Sequence, residues 1–387
     1  MRVGSTIYLD HQATTPVDSR VCRAMHPYYA EDFGNPHSAD HVLGWSAAKA
    51  IEFATERLAG LIGADPDEII FTSGATEANN LALLGIGRRA SGGTRRRILV
   101  SAIEHKCVLA AARALHQHCG YTIQEIPVDS EGRVNKSTLE TLLSDDVLLV
   151  SIMAVNNEIG TIEDIMDLSR SIRAAGAFFH CDAAQAPLAF DLTSFANFVD
   201  LLSLSGHKMY APKGIGVLYI RRDLQSSIEP LIYGGGQQCN LRSGTLPVPL
   251  CVGLGRACEL FLADEMHEDR EKLRQRRDRF FAKILSLPWP IILNGPPLAN
   301  RHPANLNLRF NGFSAGDLLN AVQPRLAAST GAACTSGIPE PSHVLRAIGL
   351  SGDDADSSIR FSLGLATTDA DLDEAVEILH NALGRLS

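Results

Sequence analysis

The chain has 387 residues, 45% of them hydrophobic and 20% charged, which describes a globular protein of two or three domains. Its 35 Lys and Arg against 44 Asp and Glu leave a net charge of −9, which argues against a surface built to grip DNA or RNA. No apolar run in the sequence approaches the ~20 residues of a membrane-spanning helix, and the opening "MRVGSTIYLDHQ" lacks the apolar core of a signal peptide, so the cytoplasm is the expected compartment.

In chain order, helical periodicity covers about 39–63, with Gly63 as its C-cap. "EIIFTSGATEANNLALLGI" reads as strand, glycine turn and helix, and "RRILVSAIEHKCVLAAARAL" repeats that order. "VLLVSIMAVNNEIG" and "AFFHCDAAQAP" are further apolar strands ending in polar loops, and "VDLLSLSGHKMYAPKGIGVLYI" gives two strands joined by a glycine-bearing loop. Strands alternating with helices predict an α/β domain with a mostly parallel sheet. After about residue 255 the texture changes: "ELFLADEMHEDREKLRQRRDRFFAKIL" reads as one long, charge-rich amphipathic helix, followed by shorter elements of a second, smaller domain. "STGAACTSGIPEPS", from Ser329 to Ser342, has no periodicity and reads as a mobile loop carrying one cysteine, Cys334.

Eight cysteines sit at 22, 107, 119, 181, 239, 251, 258 and 334, with no C-x-x-C among them, so zinc-ribbon and thioredoxin readings fail on spacing. "HQHC" at 116–119 lies in a helical pattern, where i and i+2 point apart, and reads as a helix surface instead of a metal site. No metal is expected.

The polar clusters "TSGATEAN", "SAIEHK", "AVNNEIG", "CDAAQ" and "SGHK" each follow an apolar strand. In an open α/β sheet the carboxyl ends of the strands form the ligand crevice, so these five segments are expected to converge. Gly74, Ala75 and Thr76 can open a helix whose free N–H groups hold a phosphate, the plainer alternative being an N-cap at Thr76. No Walker A loop is present, and Gly85-x-Gly87 falls within helix-like sequence. Asp182, at the end of an apolar strand, needs a partner for its charge, and a pyridinium nitrogen would serve. Lys208, flanked by Ser205 and His207, can form a Schiff base with an aldehyde. Phosphate, pyridinium and Schiff-base lysine together describe pyridoxal 5'-phosphate.

"YLDHQATTPVD", "FGNPHSADH", "FTSGATEANN", "EHKCVL", "VNNEIG", "HCDAAQ", "SGHKMYAPKG", "GGGQQCNLRSGT", "GAACTS" and "SSIRFSLG" resemble, in order and at compatible spacing, the cysteine desulfurases of the class-V aminotransferase family. The resemblance implies the PLP-dependent transferase fold type I. Its large domain, 15–258, would have a mostly parallel sheet of the seven-stranded type; a smaller α+β domain, 1–14 and 259–387, would carry the catalytic cysteine loop. It implies a homodimer with shared active sites. Carried over residue by residue, Lys208 is the Schiff-base lysine, Asp182 pairs the pyridinium nitrogen, Gln185 reaches the ring hydroxyl, and His105 stacks on the ring and shuttles protons. Ala75, Thr76, Ser205 and His207 bind the phosphate, joined by Thr245 from the other subunit, while Asn156 and Arg360 hold the substrate carboxylate with Asn35 nearby. An arginine fork suits that carboxylate.

Cys334 matches the family's nucleophile, whose thiolate would take sulfur from L-cysteine, release L-alanine and carry a persulfide to an acceptor protein. Another PLP enzyme, such as an aminotransferase or a selenocysteine lyase, would share Lys208 and Asp182 without needing Cys334. "YLDHQATTP" and "HVLGW" are similar to the housekeeping iron–sulfur desulfurases, whereas "SAIEHK", "APKG", "GTLPVPL" and "PSHVLRAIGL" are closer to the desulfurase of DNA phosphorothioation. The chain stops at "NALGRLS", where housekeeping members usually continue into a tail that docks the iron–sulfur scaffold. The expected acceptor is a dedicated partner, in DNA phosphorothioation; the alternative is general supply of sulfur for iron–sulfur clusters and tRNA thiolation.

Overall fold

The computed structural model describes residues 1–331 and 342–387; Cys334 and most of its predicted loop lie outside the described residues. Short strands β1 (Arg2–Val3) and β2 (Thr6–Tyr8) open the chain. Among the described residues a seven-stranded sheet follows, built from β3 (Ile69–Thr72), β4 (Arg97–Ser101), β5 (Thr122–Ile126), β6 (Val147–Ser151), β7 (Phe178–Asp182), β8 (Leu201–Ser205) and β9 (Gly216–Ile220). Its order is β3-β9-β8-β7-β6-β4-β5, and only β9 runs against its neighbours.

The period-2 alternation of the strands sends neighbouring side chains to opposite faces. Leu99, Val150, Phe179 and Leu202 share a core with Ala54 and Leu58 of the helix Val42–Ile62 and Leu254 and Cys258 of the helix Val248–Leu262. Ile98, Val100, Leu149 and Leu201 face the other way, onto Leu81 of the helix Ala75–Arg89 and Leu115 of the helix Lys106–Cys119. The predicted helix over 39–63 is therefore Val42–Ile62, and Gly63, at φ 73°, ends it as expected. It crosses the Val248–Leu262 helix so tightly that a Cβ on Gly255 would stand 2.6 Å from the Cα of Ala54. "HQHC" lies on the last turn of Lys106–Cys119, as a helix surface.

One local reading is corrected. The long helix expected after residue 255 is two, Val248–Leu262 and Glu265–Leu285, separated by an extended Ala263 at ψ 143°. In an unbroken helix the position four beyond buried Phe261 would be Glu265. The break shifts the phase by one residue and buries Met266, followed by Leu273, Phe280 and Ile284. At "TSGATEAN" Gly74 caps a helix that begins at Ala75, so Gly74, Ala75 and Thr76 open it as expected and the alternative cap at Thr76 falls away.

The second sheet is antiparallel, β10 (Ile291–Leu293), β11 (Asn305–Phe310) and β13 (Ser358–Ser362), while β12 (Leu326–Ala327) pairs with β2. Arg301, 2% exposed, staples this region to the rest. Among the described residues its guanidinium meets no carboxylate; it donates to the carbonyls of Pro296 at 2.9 Å and Asn294 at 2.5 Å and to Oδ1 of Asn305 at 3.0 Å. Burial pulls its pKa down to about 9. Asn305 in turn donates to Oε1 of Gln12 at 2.6 Å. Replacing Arg301 by Met keeps the volume but strands those acceptors, and an unmade buried hydrogen bond costs about 1–3 kcal/mol. Arg301→Met should therefore lower the unfolding free energy by about 2–4 kcal/mol in urea denaturation; an unchanged midpoint would contradict this account.

Candidate active site

The carboxyl ends of β3, β4, β6, β7 and β8 open on one side of the sheet, with β4 and β6 flanking the point where strand order reverses. A cavity of about 490 Å³ lies there, lined by residues that include Gly74, Thr76, His105, Asp182, Gln185 and Lys208. A second, of about 450 Å³, adjoins it; Ala13, His105, Asn157 and Lys208 line both. The second is walled also by Asp10, Glu104, Gly331, His343 and Arg360. Gly331 and His343 stand close on either side of the undescribed residues 332–341, so both approaches to the segment that carries Cys334 lie on its rim.

Lys208 sits in a short helical turn after β8. Its Nζ donates to the carbonyls of Gln12 and, at 2.8 Å, Ala13. Burial pulls the amine down to about 8, and the nearby Arg360 charge adds to that. Asp182, 5% exposed at the end of β7, accepts from Nδ2 of Asn79 at 2.7 Å and from the Ala184 amide at 2.9 Å. Gln185 donates to the Gln12 carbonyl at 3.0 Å. His105 is the N-cap of Lys106–Cys119. Beside it Glu104 is fully buried, and burial, reinforced by the Asp182 charge, holds its carboxyl well above the usual range. His207, down at about 4 through burial and the charge of Lys208, is neutral and lies 3.2 Å from the Thr14 hydroxyl.

These groups fit pyridoxal 5'-phosphate. Gly74 holds φ 152°, a conformation that L side chains rarely adopt, and a Cβ there would meet no protein atom within 4 Å. That leaves the first-turn amides of Ala75 and Thr76 without intrahelical acceptors, beside the Thr76, Ser205 and His207 side chains that line the same cavity. Lys213, not anticipated from sequence, lines it too. Asp182 offers a buried carboxyl that a ring nitrogen could meet, and Lys208 a depressed amine that could meet the aldehyde.

Three expected residues stand elsewhere. Asn156 is 1% exposed and lines neither cavity. Its Oδ1 accepts from the amides of Glu158 at 2.8 Å and Ile159 at 3.0 Å, and its Nδ2 donates to Ile103 O at 3.0 Å, so its side chain closes the turn and Asn157 faces the site. Asn35 is exposed, accepting from the His37 amide at 2.9 Å, and does not line the cavity of its own chain. Thr245 is also exposed and outside that lining, in keeping with a role toward another subunit. Arg360 does wall the second cavity, donating to Asp10 Oδ1 at 2.6 Å, Ser329 Oγ at 3.0 Å and Asn157 O at 2.9 Å. Gln12, Ala13 and Asn79 were not predicted. Asn79 had a signal, since it lies one helical turn beyond Ala75 on the same face.

The family model for aminotransferase class-V matches residues 7–375. A cysteine desulfurase IscS of Rickettsia akari (strain Hartford) is 46% identical over 382 residues, covering 98% of this chain and 92% of that protein. A solved structure of a NifS-like protein superposes with a TM-score of 0.91 at 35% identity, covering 98% of this chain and 100% of that one. A structure of SspA in complex with cysteine gives a TM-score of 0.81 at 36% identity, covering 94% and 100%. With its fold type I architecture, the chain belongs to the class-V aminotransferase family, among its pyridoxal-phosphate-dependent cysteine desulfurases.

Proposed function

We propose that this enzyme converts L-cysteine to L-alanine and loads the sulfur onto Cys334 as a persulfide for an acceptor protein. The observation that carries the reading is the convergence of Lys208, Asp182, His105 and Arg360 on two adjoining cavities, with the flanks of the Cys334 segment on the rim. The SspA structure that resembles this chain was solved with cysteine, which supports that substrate.

When bound, the cofactor supplies an electron sink that weakens the β-carbon–sulfur bond of cysteine. Lys208 would hold it through its amine, Asp182 would keep its ring nitrogen protonated, Gln185 would meet its ring hydroxyl, and Ala75, Thr76, Ser205 and His207 would take its phosphate. Arg360 orients the substrate carboxylate, with Asn157 beside it. His105 moves the proton. The Cys334 thiolate bonds to the substrate sulfur as the carbon–sulfur bond breaks; the carbon keeps the electron pair, takes up a proton and leaves as alanine. Thr245 would complete the phosphate site of a second copy in a homodimer, a reading supported by its exposure. We also divide the chain into a large cofactor domain, 15–258, and a smaller one, 1–14 and 259–387. No helix among the described residues is long and apolar enough to cross a membrane, in keeping with a cytoplasmic enzyme. For the acceptor, similarity to IscS supports general sulfur supply, while the mixed motif set favours a dedicated partner in DNA phosphorothioation. With a net charge of −9 the enzyme would meet DNA through a basic partner and not directly.

Borohydride reduction should fix the cofactor on Lys208, and Lys208→Ala should abolish the protein-linked chromophore; a label on Lys106 or Lys213 would refute the assignment. In cofactor-free protein, acylation of Lys208 should be half-maximal near pH 8, about two units below an ordinary lysine, because less of its amine must be deprotonated by added base; a midpoint near 10 would count against the buried-amine account. Cys334→Ser should retain cofactor and substrate binding yet form no persulfide and little alanine; persulfide on Cys107 or Cys239 by mass spectrometry would overturn the nucleophile. Deleting the gene in its host separates the acceptors: loss of DNA sulfur with intact iron–sulfur enzymes supports the dedicated partner, and broad loss of iron–sulfur activity supports general supply.

A further inference from the structure

The cavity wall holds a cysteine that the reaction above does not use. Cys107 is the second residue of the helix Lys106–Cys119 and lines the larger cavity, two residues beyond His105. Its backbone N–H donates to Nδ1 of His105 at 3.2 Å, and its Sγ lies 3.0 Å from the same nitrogen. An amide N–H can only donate, so Nδ1 carries no proton in this arrangement. The neutral ring must then carry its proton on Nε2; with the Thr76 side chain acting as a donor to the sulfur, the bare Nδ1 is the acceptor to which the thiol hydrogen is assigned. On its other side Sγ accepts from Nδ2 of Asn79 at 3.2 Å, and the second hydrogen of that amide goes to Oδ2 of Asp182 at 2.7 Å. The Asp182 carboxylate fixes which way Asn79 faces, since the flipped amide would set oxygen against oxygen. One chain of hydrogen bonds therefore runs from Asp182 through Asn79 and Cys107 to the imidazole.

We propose that Cys107 is a positioning residue: its thiol, oriented by Asn79, donates to Nδ1 of His105 and holds the imidazole as the tautomer that presents an Nε2–H to the two cavities. The inference rests on His105 being the proton shuttle of the desulfurase reading. It requires a thiol that keeps its hydrogen. Burial, with the Asp182 charge beside it, pushes Cys107 up to about 12, whereas a thiol that ionised readily could not serve. The charged and titratable groups facing His105 are Asp182, Lys208, Glu158 and His343; burial dominates and holds the ring below its ordinary value, with Asp182 and Glu158 opposing and Lys208 and His343 assisting. A donor at Nδ1 acts in the same direction as burial. A protonated ring would have to place its own hydrogen where the thiol hydrogen stands. Cys107 thus keeps His105 neutral and singly oriented at rest; when Nε2 gives up its proton Nδ1 takes the thiol hydrogen, and the reverse transfers restore both.

The test is nitrogen NMR of the holoenzyme labelled in its 13 histidines, with His105 assigned by its loss in His105→Gln. In the unaltered enzyme His105 should titrate as the Nε2–H tautomer. Cys107→Ala removes one of the two donors and should raise the midpoint by about half a pH unit or more; the acid limb of L-cysteine turnover should move up with it. Cys107→Ser keeps a donor and should restore both. A wild-type ring protonated on Nδ1, or a midpoint unmoved in Cys107→Ala, overturns the proposal. Should Cys107→Ala fail to fold, the wild-type tautomer and the serine variant still decide. Failure of the desulfurase reading would appear separately, as no alanine from the unaltered enzyme, because the tautomer is read without turnover.

Discussion

A buried amine that shares a cavity wall with an arginine is the constraint around which this structure is arranged. Lys208 meets it by leaving solvent and donating to main-chain carbonyls of Gln12 and Ala13, which offer partial charge without a counterion. A carboxylate in that place would have held the ammonium form. The N-terminal segment is therefore part of the site, and its position is set from both directions. The Gln12 carbonyl receives Lys208 and Gln185, while the Gln12 side chain receives Asn305, which Arg301 holds from behind. The buried arginine, which lacks a carboxylate of its own, makes sense as the outermost member of that chain.

The buried acids follow the same logic. Asp182 accepts from two donors, the Asn79 amide and the Ala184 N–H. Glu104, fully buried nearby, is pushed toward its neutral form by burial and by the Asp182 charge. Glu104, by contrast, has buried carboxyl oxygens with no hydrogen-bond partner among the described residues, in keeping with the upward push. On the same face of β7, His180 lies between Ser151 at 2.8 Å and Ser203 at 3.1 Å; burial holds it down at about 4, so the layer beneath the site adds hydrogen bonds without adding charge.

What the sequence made legible was whatever depends on side-chain pattern. Apolar strands ending in polar loops identified the crevice, and Lys208, Asp182, His105 and Gln185 all line it because strand ends in a parallel sheet can hardly go elsewhere. What it hid depends on backbone or on a single residue of phase. Gln12 and Ala13 act through carbonyls that every residue possesses. Asn156 and Asn157 are chemically identical neighbours, and only the turn that Asn156 closes sends Asn157 to the cavity. The break at Ala263 was masked by charge that suits either one helix or two. Asn35 and Thr245 stand outside their own chain's cavity, which a single sequence reads no differently from lining it.

Arg360 ties the second cavity to the described flank of the segment that carries Cys334. Its fork is engaged by Asp10, Ser329 and the Asn157 carbonyl, so the guanidinium is held in one orientation at the cavity wall. Its backbone is engaged as well: Arg360 N donates to Ser329 O at 2.7 Å, and Ser329 N donates back to Arg360 O at 3.3 Å. Ser329 lies five positions before Cys334 in the chain. Beyond Cys334, Ser342 donates through its hydroxyl to Glu158 at 2.5 Å, and Glu158 walls the same cavity as Arg360. The described residues on either side of the segment that carries Cys334 are thus bonded to Arg360 and Glu158, two residues of one cavity wall.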